Sequence, residues 1–492
     1  MPCGTRTVYF VMHVTIAALL PPTRPAPAVV LLVLVCSVIL AGCGGSPGGS
    51  RSLTIAPASL ELAVGASSTL TASVAGVPAS GVTWSSAAPA VAQVAANGVV
   101  TAVSPGSTQV TATLVDDPGV RGTIRVTVLA ASAGPAALVS MDGGLTHTVA
   151  LGDDGAVWSW GANLLGQFGS GGLQPSQSSN PVRALIDDVV GIAAGDHFSV
   201  AVRSDGTVWA WGSNGSGQVG PGAEGDWQTT PVQVSGITDA VAVAAVASTA
   251  VALLTDGTVM AWGSNANGAL GRGTFTPTED ATPALVVDVS GATAVALGGG
   301  ISQAHGLALL GDGTVMAWGS NALAALGQPV STPASATPVT VAGVTGVESI
   351  GAGQGFSLVV TGTGDVYGWG AANVGQLGAG TVGAYSQTPV KADVEDVTAL
   401  AAGHLHVVAL HDDGTLSTWG SNSFGQLGIG ADSGFRLSPQ RLGVTGFGGV
   451  AAGMQFSFGI EAGGVPWGWG NNLNLQVGRE QGSVTTAPSA IW

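Results

Sequence analysis

The sequence predicts an all-β protein: a seven-bladed β-propeller preceded by a small β-sandwich. Three observations carry this. A Trp-Gly pair recurs at Trp160, Trp211, Trp262, Trp318, Trp369, Trp419 and Trp469, at spacings of 51, 51, 56, 51, 50 and 50 residues. A glycine stands five residues before each of these tryptophans, from Gly155 to Gly464, and it follows an aspartate in five copies. Residues 53–128 run through short alternations of apolar and polar side chains. A fixed period near fifty residues means that one supersecondary unit is repeated because a single unit cannot bury its own apolar faces.

In chain order, residues 28–42 (AVVLLVLVCSVILAG) form an apolar run of 15 after Arg24. The run is short for a membrane span and fits the core of a signal peptide. It closes on Leu40–Cys43, LAGC, which resembles the bacterial lipobox. That resemblance implies a lipoprotein-type signal peptide over 1–42, cleavage before Cys43 and lipid attachment at the Cys43 thiol. Removing the segment leaves Cys43 as the sole cysteine, with 10 basic against 28 acidic side chains. Residues 43–52 contain GGSPGGSRS, a flexible linker composition.

Residues 53–128 contain LTIAP, SLELAV, STLTASV, VTWSS, QVTATLV and TIRVTV, strands separated by turn residues. VTWSSAAPAVAQVAANGVVTAVSPGSTQVTAT resembles the bacterial immunoglobulin-like group 2 domain, which implies an immunoglobulin-like β-sandwich acting as a spacer or adhesive module. Trp84 reads as a core residue.

Residues 137–492 hold the seven copies. Asp-Gly between two apolar runs, as in HTVALGDDGAVWSWG, predicts a hairpin closed by a type I′ turn, with positive φ at both central residues. The strand ending at each tryptophan carries no charge on either face, so it is expected to be buried on both. Nine residues after each tryptophan stands another glycine, Gly169 through Gly478, and Asn occupies the third position after it in six copies. That cluster reads as a tight turn. Proline-containing segments such as NPVRAL and TTPVQV follow and predict an outer edge strand. Small sheets covered on both sides by their neighbours describe a closed ring; a solenoid would need distinct capping repeats, and the terminal copies match the middle ones.

AAGDHFSVAVRSDGTVWAWGSNGSGQVG and AAGHLHVVALHDDGTLSTWGSNSFGQLG resemble the regulator of chromosome condensation repeat. The resemblance covers about 137–492 and implies the seven-bladed propeller. Nucleotide exchange and chromatin binding, known in that family, are not carried over. The chain has 12 basic against 28 acidic residues, a net charge of −16 and a single lysine, Lys391, so it lacks the basic patch that phosphate contacts require. Nucleic acid is therefore excluded, and so is an anionic membrane except through a lipid anchor.

The repeats separate structural from chemical residues, since a structural residue should recur and a catalytic one need not. Thirteen residues before each tryptophan lie His147, Phe198, Thr249, His305, Phe356, His406 and Phe456, which reads as a packing slot. His404 and His406 are expected to share a strand face, but no third ligand stands at metal-binding spacing. Asp393, Glu395 and Asp396 read as a solvated acidic loop. No nucleophile elbow or phosphate-cradling loop occurs. The expectation is a non-enzymatic, monomeric binding or scaffold protein at the cell envelope with no cofactor and no metal, recognising a protein or glycan through propeller loops. The competing reading is a secreted enzyme, for example polysaccharide-active, working in the propeller channel. Trp227, an aromatic outside the repeated positions, is the candidate binding residue.

Overall fold

The computed structural model describes residues 52–129, 135 and 137–492, apart from 58, 64–66, 75–76, 80, 301–302, 431–433 and 481–482. The expected signal peptide, Cys43 and nearly all of the 43–52 linker lie outside the described residues.

The first domain is the expected β-sandwich. Arg121–Leu129 pairs antiparallel with Gly106–Leu114 and parallel with Ser59–Ala63, and Val82–Ser86 closes the four-stranded sheet. Two three-stranded sheets complete the unit. Leu62, Val100, Val110, Ala112 and Val126 are fully buried between them, and Trp84 packs half-buried against that core.

Seven four-stranded antiparallel sheets follow, each built from consecutive strands. In the first they are Leu138–Gly143, His147–Gly152, Val157–Ala162 and Gln177–Arg183; in the seventh, Phe447–Ala452, Phe456–Glu461, Pro466–Gly470 and Thr485–Ala490. No blade mixes strands from the two ends of the propeller. The ring therefore closes by packing of whole blades and not by exchange of a strand.

The third strand of each blade is buried on both faces, as expected of a sheet lying between two neighbours. The seven repeated tryptophans are all fully buried. Each donates its indole N–H to a loop carbonyl of the preceding blade: Trp211 to Gln167, Trp262 to Gln218, Trp318 to Ala269, Trp369 to Ala325, Trp419 to Gln376 and Trp469 to Gln426, at 2.8–2.9 Å. Trp160 closes the circle with a 3.0 Å bond to Gln476 of the seventh blade. The outer strands carry the prolines where the ladder breaks, as an edge strand permits.

The hairpin turns differ from the expected type I′. Only the glycine is left-handed, with φ of 77° at Gly155, 79° at Gly206 and 78° at Gly257, while the aspartate before it keeps negative φ. The aspartate contributes through its side chain, whose carboxylate accepts the N–H two residues on, from Ala156, Thr207, Thr258, Thr314 and Thr415. The turn is a type I turn followed by a left-handed glycine, which matches strand twist with one positive φ instead of two.

Every inner strand starts with a β-bulge that leaves its second residue unpaired. These residues, Val139, Val190, Val241, Thr293, Glu348, Thr398 and Gly448, are all exposed around one mouth of the ring.

Trp369→Ala should cost about 3–5 kcal/mol as a large core truncation that also removes an interblade bond. Trp227→Ala, at a side chain 45% exposed, should leave the melting temperature near wild type. Deleting 483–492 removes the outer strand of blade seven together with Trp492, whose ring lies 5.3 Å from that of Trp160 across the closure seam. Thermal melts should rank the deletion and Trp369→Ala far below Trp227→Ala. A deletion that melts like wild type would contradict closure at this seam.

Candidate functional site

The seven inner strands surround an axial cavity of about 280 Å³. Its wall is made of small and aliphatic residues, including Ile192, Val243, Val295, Ala352, Ala402 and Val450. At one end the chain turns from the inner to the second strand, and these turns are stitched together by backbone bonds between blades. Leu145 N–H bonds Asp196 O, Asp196 N–H bonds Ala247 O, Gln354 N–H bonds His404 O, His404 N–H bonds Met454 O, and Met454 N–H bonds Gly144 O. Asp196, Gln354, His404 and Met454 line this mouth. Most of the extra length of the fourth copy also lies here, between Gly298 and His305.

Asp142 is the residue in this wall that sequence reasoning missed. The ladder places it opposite Val149, and the equivalent positions are Ala193, Ala244, Ala296, Gly351, Ala401 and Ala451. One carboxylate oxygen accepts Gly143 N–H and the other accepts Ala194 N–H of the next blade, both at 2.9 Å. Burial pushes its pKa up to about 7 against the lowering effect of these two bonds. Burial also raises Asp196. An acid among six small residues was legible once the inner strands were aligned, but the glycine and tryptophan landmarks drew attention to the other strands.

The slot thirteen residues before each tryptophan is fully buried in all seven blades. Its content is matched to the neighbouring blade. Where it holds histidine, the next blade supplies a serine: His147 Nε2 lies 3.1 Å from Ser199 Oγ, His305 Nε2 2.9 Å from Ser357 and His406 Nε2 2.8 Å from Ser457. Each serine donates its proton to a loop carbonyl, of Gln167, Ala325 or Gln426, that also accepts the indole N–H. The serine oxygen therefore accepts, and the imidazole Nε2–H donates. Where the slot holds Phe198 or Phe356, the facing position is apolar, Ala250 or Val407, in the same cluster. A buried imidazole requires a partner and a phenyl ring does not, which accounts for the pairing.

His404 and His406 do not share a strand face. The second strand begins at His406, which faces Ser457, whereas His404 sits in the turn at the cavity mouth. No group of three or more His, Cys, Asp or Glu suited to a metal exists among the described residues. Asp393, Glu395 and Asp396 share a surface depression with Lys391, His411 and Arg441, so cations are interleaved with the acids. Lys391 pairs with Asp365 at 2.9 Å.

Trp227 is exposed, and it is not outside the repeat. It opens the outer strand Trp227–Gln233 and pairs with Ser213; Tyr385 and Phe435, also exposed, open the same strand in blades five and six. The segments that follow the turn glycines thus lead into ordered outer strands.

The pH dependence follows from the slot. Burial lowers His147 and His406 to about 3 and His305 to about 4. Between those values and 6.5 the native imidazoles stay neutral while the unfolded chain takes up protons, so stability falls as pH drops from 6.5 toward 4. Each contributes up to about 1.4 kcal/mol per pH unit. Asp142, with a native pKa of about 7, and Asp196, also raised by burial, work in the opposite direction and favour the fold at low pH, so they reduce the slope that the three histidines set. Ser199→Ala should cost about 1–3 kcal/mol by stranding the imidazole N–H. His147→Phe with Ser199→Ala copies Phe198 facing Ala250, and should recover most of that loss while flattening the pH slope of the melting temperature. A double variant with the wild-type slope would show that His147 does not titrate as described.

Two family models describing regulator of chromosome condensation (RCC1) repeats match the chain. One covers residues 138–167, 189–218, 240–269, 347–376 and 397–426; the other covers 154–202, 205–253, 256–304 and 363–410. Together they span half of the sequence. A bacterial Ig-like domain (group 2) model matches residues 51–124. The human probable E3 ubiquitin-protein ligase HERC6 is 34% identical over 266 residues, covering 52% of this chain and 25% of that protein. Human HERC2, also an E3 ubiquitin-protein ligase, is 31% identical over 265 residues, covering 52% and 5%. The chain thus spans a quarter or less of these relatives. Prp20p of Saccharomyces cerevisiae, solved in connection with its binding properties to Gsp1p and histones, superposes with a TM-score of 0.62 at 23% identity, covering 70% of this chain and 87% of that one. That likeness concerns the fold. The relatives correct one expectation: repeats of this kind occur in proteins named as ligases, so the lack of a catalytic constellation does not make their bearer a non-enzyme.

Proposed function

Since this chain belongs to the regulator of chromosome condensation repeat family, we propose that its propeller is a protein-recognition module, carried on an immunoglobulin-like spacer and held at a bacterial cell envelope by a lipid on Cys43. The observation that carries recognition is the division of labour within each repeat. The tryptophan, its loop carbonyl and the left-handed turn glycine recur in every blade, whereas the exposed bulge residues and the residues at the mouth of the axial cavity differ from blade to blade. A rigid frame with varied surface residues is how scaffolds present binding groups. Prp20p, of the same fold, is described with protein partners, which favours a protein over a glycan. The LAGC sequence after an apolar core supports the anchor.

Two measurements test this. Metabolic labelling with a palmitate analogue in a bacterial host should mark the wild type and leave Cys43→Ala unlabelled; equal labelling of both would remove the anchor from the proposal. The full chain immobilised against envelope extract should retain a defined protein that a heat-denatured control does not. Retention of glycan alone would overturn protein recognition.

A further inference from the structure

The bulge that opens each inner strand decides what surrounds the mouth opposite the stitched turns. A bulged residue is released from the ladder and its side chain is re-aimed outward, so nothing in the core requires it to be apolar. In blades one, two and three that residue is Val139, Val190 and Val241, exposed by 58%, 56% and 52%. The same position shows the polar alternative. Thr293 and Thr398 occupy it in blades four and six, and each hydroxyl bonds a second-strand carbonyl, of Leu309 and Leu410. Threonine has the same branched shape and fits the site with a hydrogen bond. Three successive blades nevertheless place an exposed valine there, so the three form an arc only in the sense of occupying the same position in neighbouring blades. A single exposed valine is ordinary; the same choice in three neighbouring blades, at a position where threonine is accommodated with a hydrogen bond, is not.

The surroundings of the arc state the partner's charge. The hairpin turns and the connections into these blades bring Asp153, Asp154, Asp205, Asp239 and Asp256 to the same mouth, all exposed. Hydroxyl bonds from Thr207 and Thr258 hold Asp205 and Asp256 below the usual carboxylate range, so both stay charged. The nearby cations are already engaged: Arg183 with Asp187, and Arg203 with Asp188 and Asp205. Among the described residues, Asp153, Asp154, Asp239 and Asp256 have no ion-pair partner.

We propose that the Val139–Val190–Val241 arc and its acidic border form a docking surface for a polypeptide segment of a partner protein that carries aliphatic side chains between lysines or arginines. Apolar contact in the arc supplies burial, and the surrounding carboxylates select the sign of charge and steer the approach. This rests on the reading of the propeller as a protein-recognition module and names the surface it uses. An acidic segment would be repelled, and an anionic lipid surface is disfavoured for the same reason.

The test is a titration of the full chain with a short synthetic peptide alternating leucine and lysine, followed by fluorescence anisotropy at two salt concentrations. The comparison variant is Val139→Thr/Val190→Thr/Val241→Thr, which installs the residue already used at this bulge and should melt like wild type. Wild type should bind with a salt-dependent affinity, and the triple variant should bind about tenfold more weakly. A serine–lysine peptide should bind more weakly than the leucine–lysine one, and a leucine–glutamate peptide should not bind. Asp239→Asn/Asp256→Asn should lower both affinity and salt slope, which keeps the test open should the valine variant misfold. Unchanged binding by a folded triple variant, or equal affinity for the serine–lysine peptide, would overturn the proposal. So would valine-dependent dimerisation in sedimentation, which would make the occupant a second copy of the chain. The two readings fail separately: a captured envelope protein that ignores the valine substitutions leaves recognition standing and removes this surface, whereas valine-dependent peptide binding with no protein captured leaves the surface standing and removes the recognition reading.

Discussion

The structure depends on one bond made seven times, from an indole N–H to a loop carbonyl of the preceding blade. A tryptophan buried between two sheets supplies a large apolar surface, and its single donor must be satisfied there or cost the fold a stranded N–H. The acceptor cannot come from the tryptophan's own strand, whose carbonyls belong to the ladder. It comes from the turn that follows the third strand of the preceding blade. Each blade therefore presents the acceptor that its successor requires, and Trp160 can be satisfied only if the seventh blade returns to the first. The same bond that joins neighbours makes closure a condition of completeness.

The loop that offers this carbonyl is rigid for its own reasons. Asn163 Oδ1 accepts Phe168 N–H while its Nδ2 donates to Gly172 and Pro175 carbonyls, and Gln167 Oε1 accepts Leu165 N–H. Where Gln167 is replaced by Ala269 or Ala325, the carbonyl still accepts the indole, because the backbone and not the side chain makes that contact. The side-chain bonds shape the turn, the turn aims the carbonyl, and the carbonyl receives the tryptophan. Serine hydroxyls join three of these carbonyls, which brings the slot histidines into the same interblade network.

Much of the fold was legible because repetition lets a sequence be read against itself. Seven glycines, seven tryptophans and the proline-bearing edge strands each mapped to the element expected. The turn type was not legible, because Asp-Gly serves both a type I′ turn and a type I turn with a following left-handed glycine; the aspartate's hydrogen bond to the residue two ahead decides between them. The placement of His404 failed for a related reason: an alternating pattern does not say where the turn ends and the strand begins. The pairing of His147 with Ser199 was present in the sequence, but it lies across a blade boundary fifty-two residues away, and reading each copy by itself hides it.

Candidate sites were less legible because this molecule places its departures where the repeat is least constrained. Aligning copies by their buried landmarks finds what the frame requires, and a binding surface is what the frame leaves open. Asp142 and the bulged valines illustrate two kinds of departure. Asp142 replaces a small residue in the cavity wall, and the substitution is absorbed by two backbone N–H groups that already point there, so it reinforces a blade contact. The valines forgo the hydroxyl bond that Thr293 and Thr398 make at the same bulge, and they gain no partner in return. A departure that completes a hydrogen-bond set belongs to the structure; one that leaves valine exposed on three adjacent blades beside uncompensated carboxylates is what the proposed docking surface would explain.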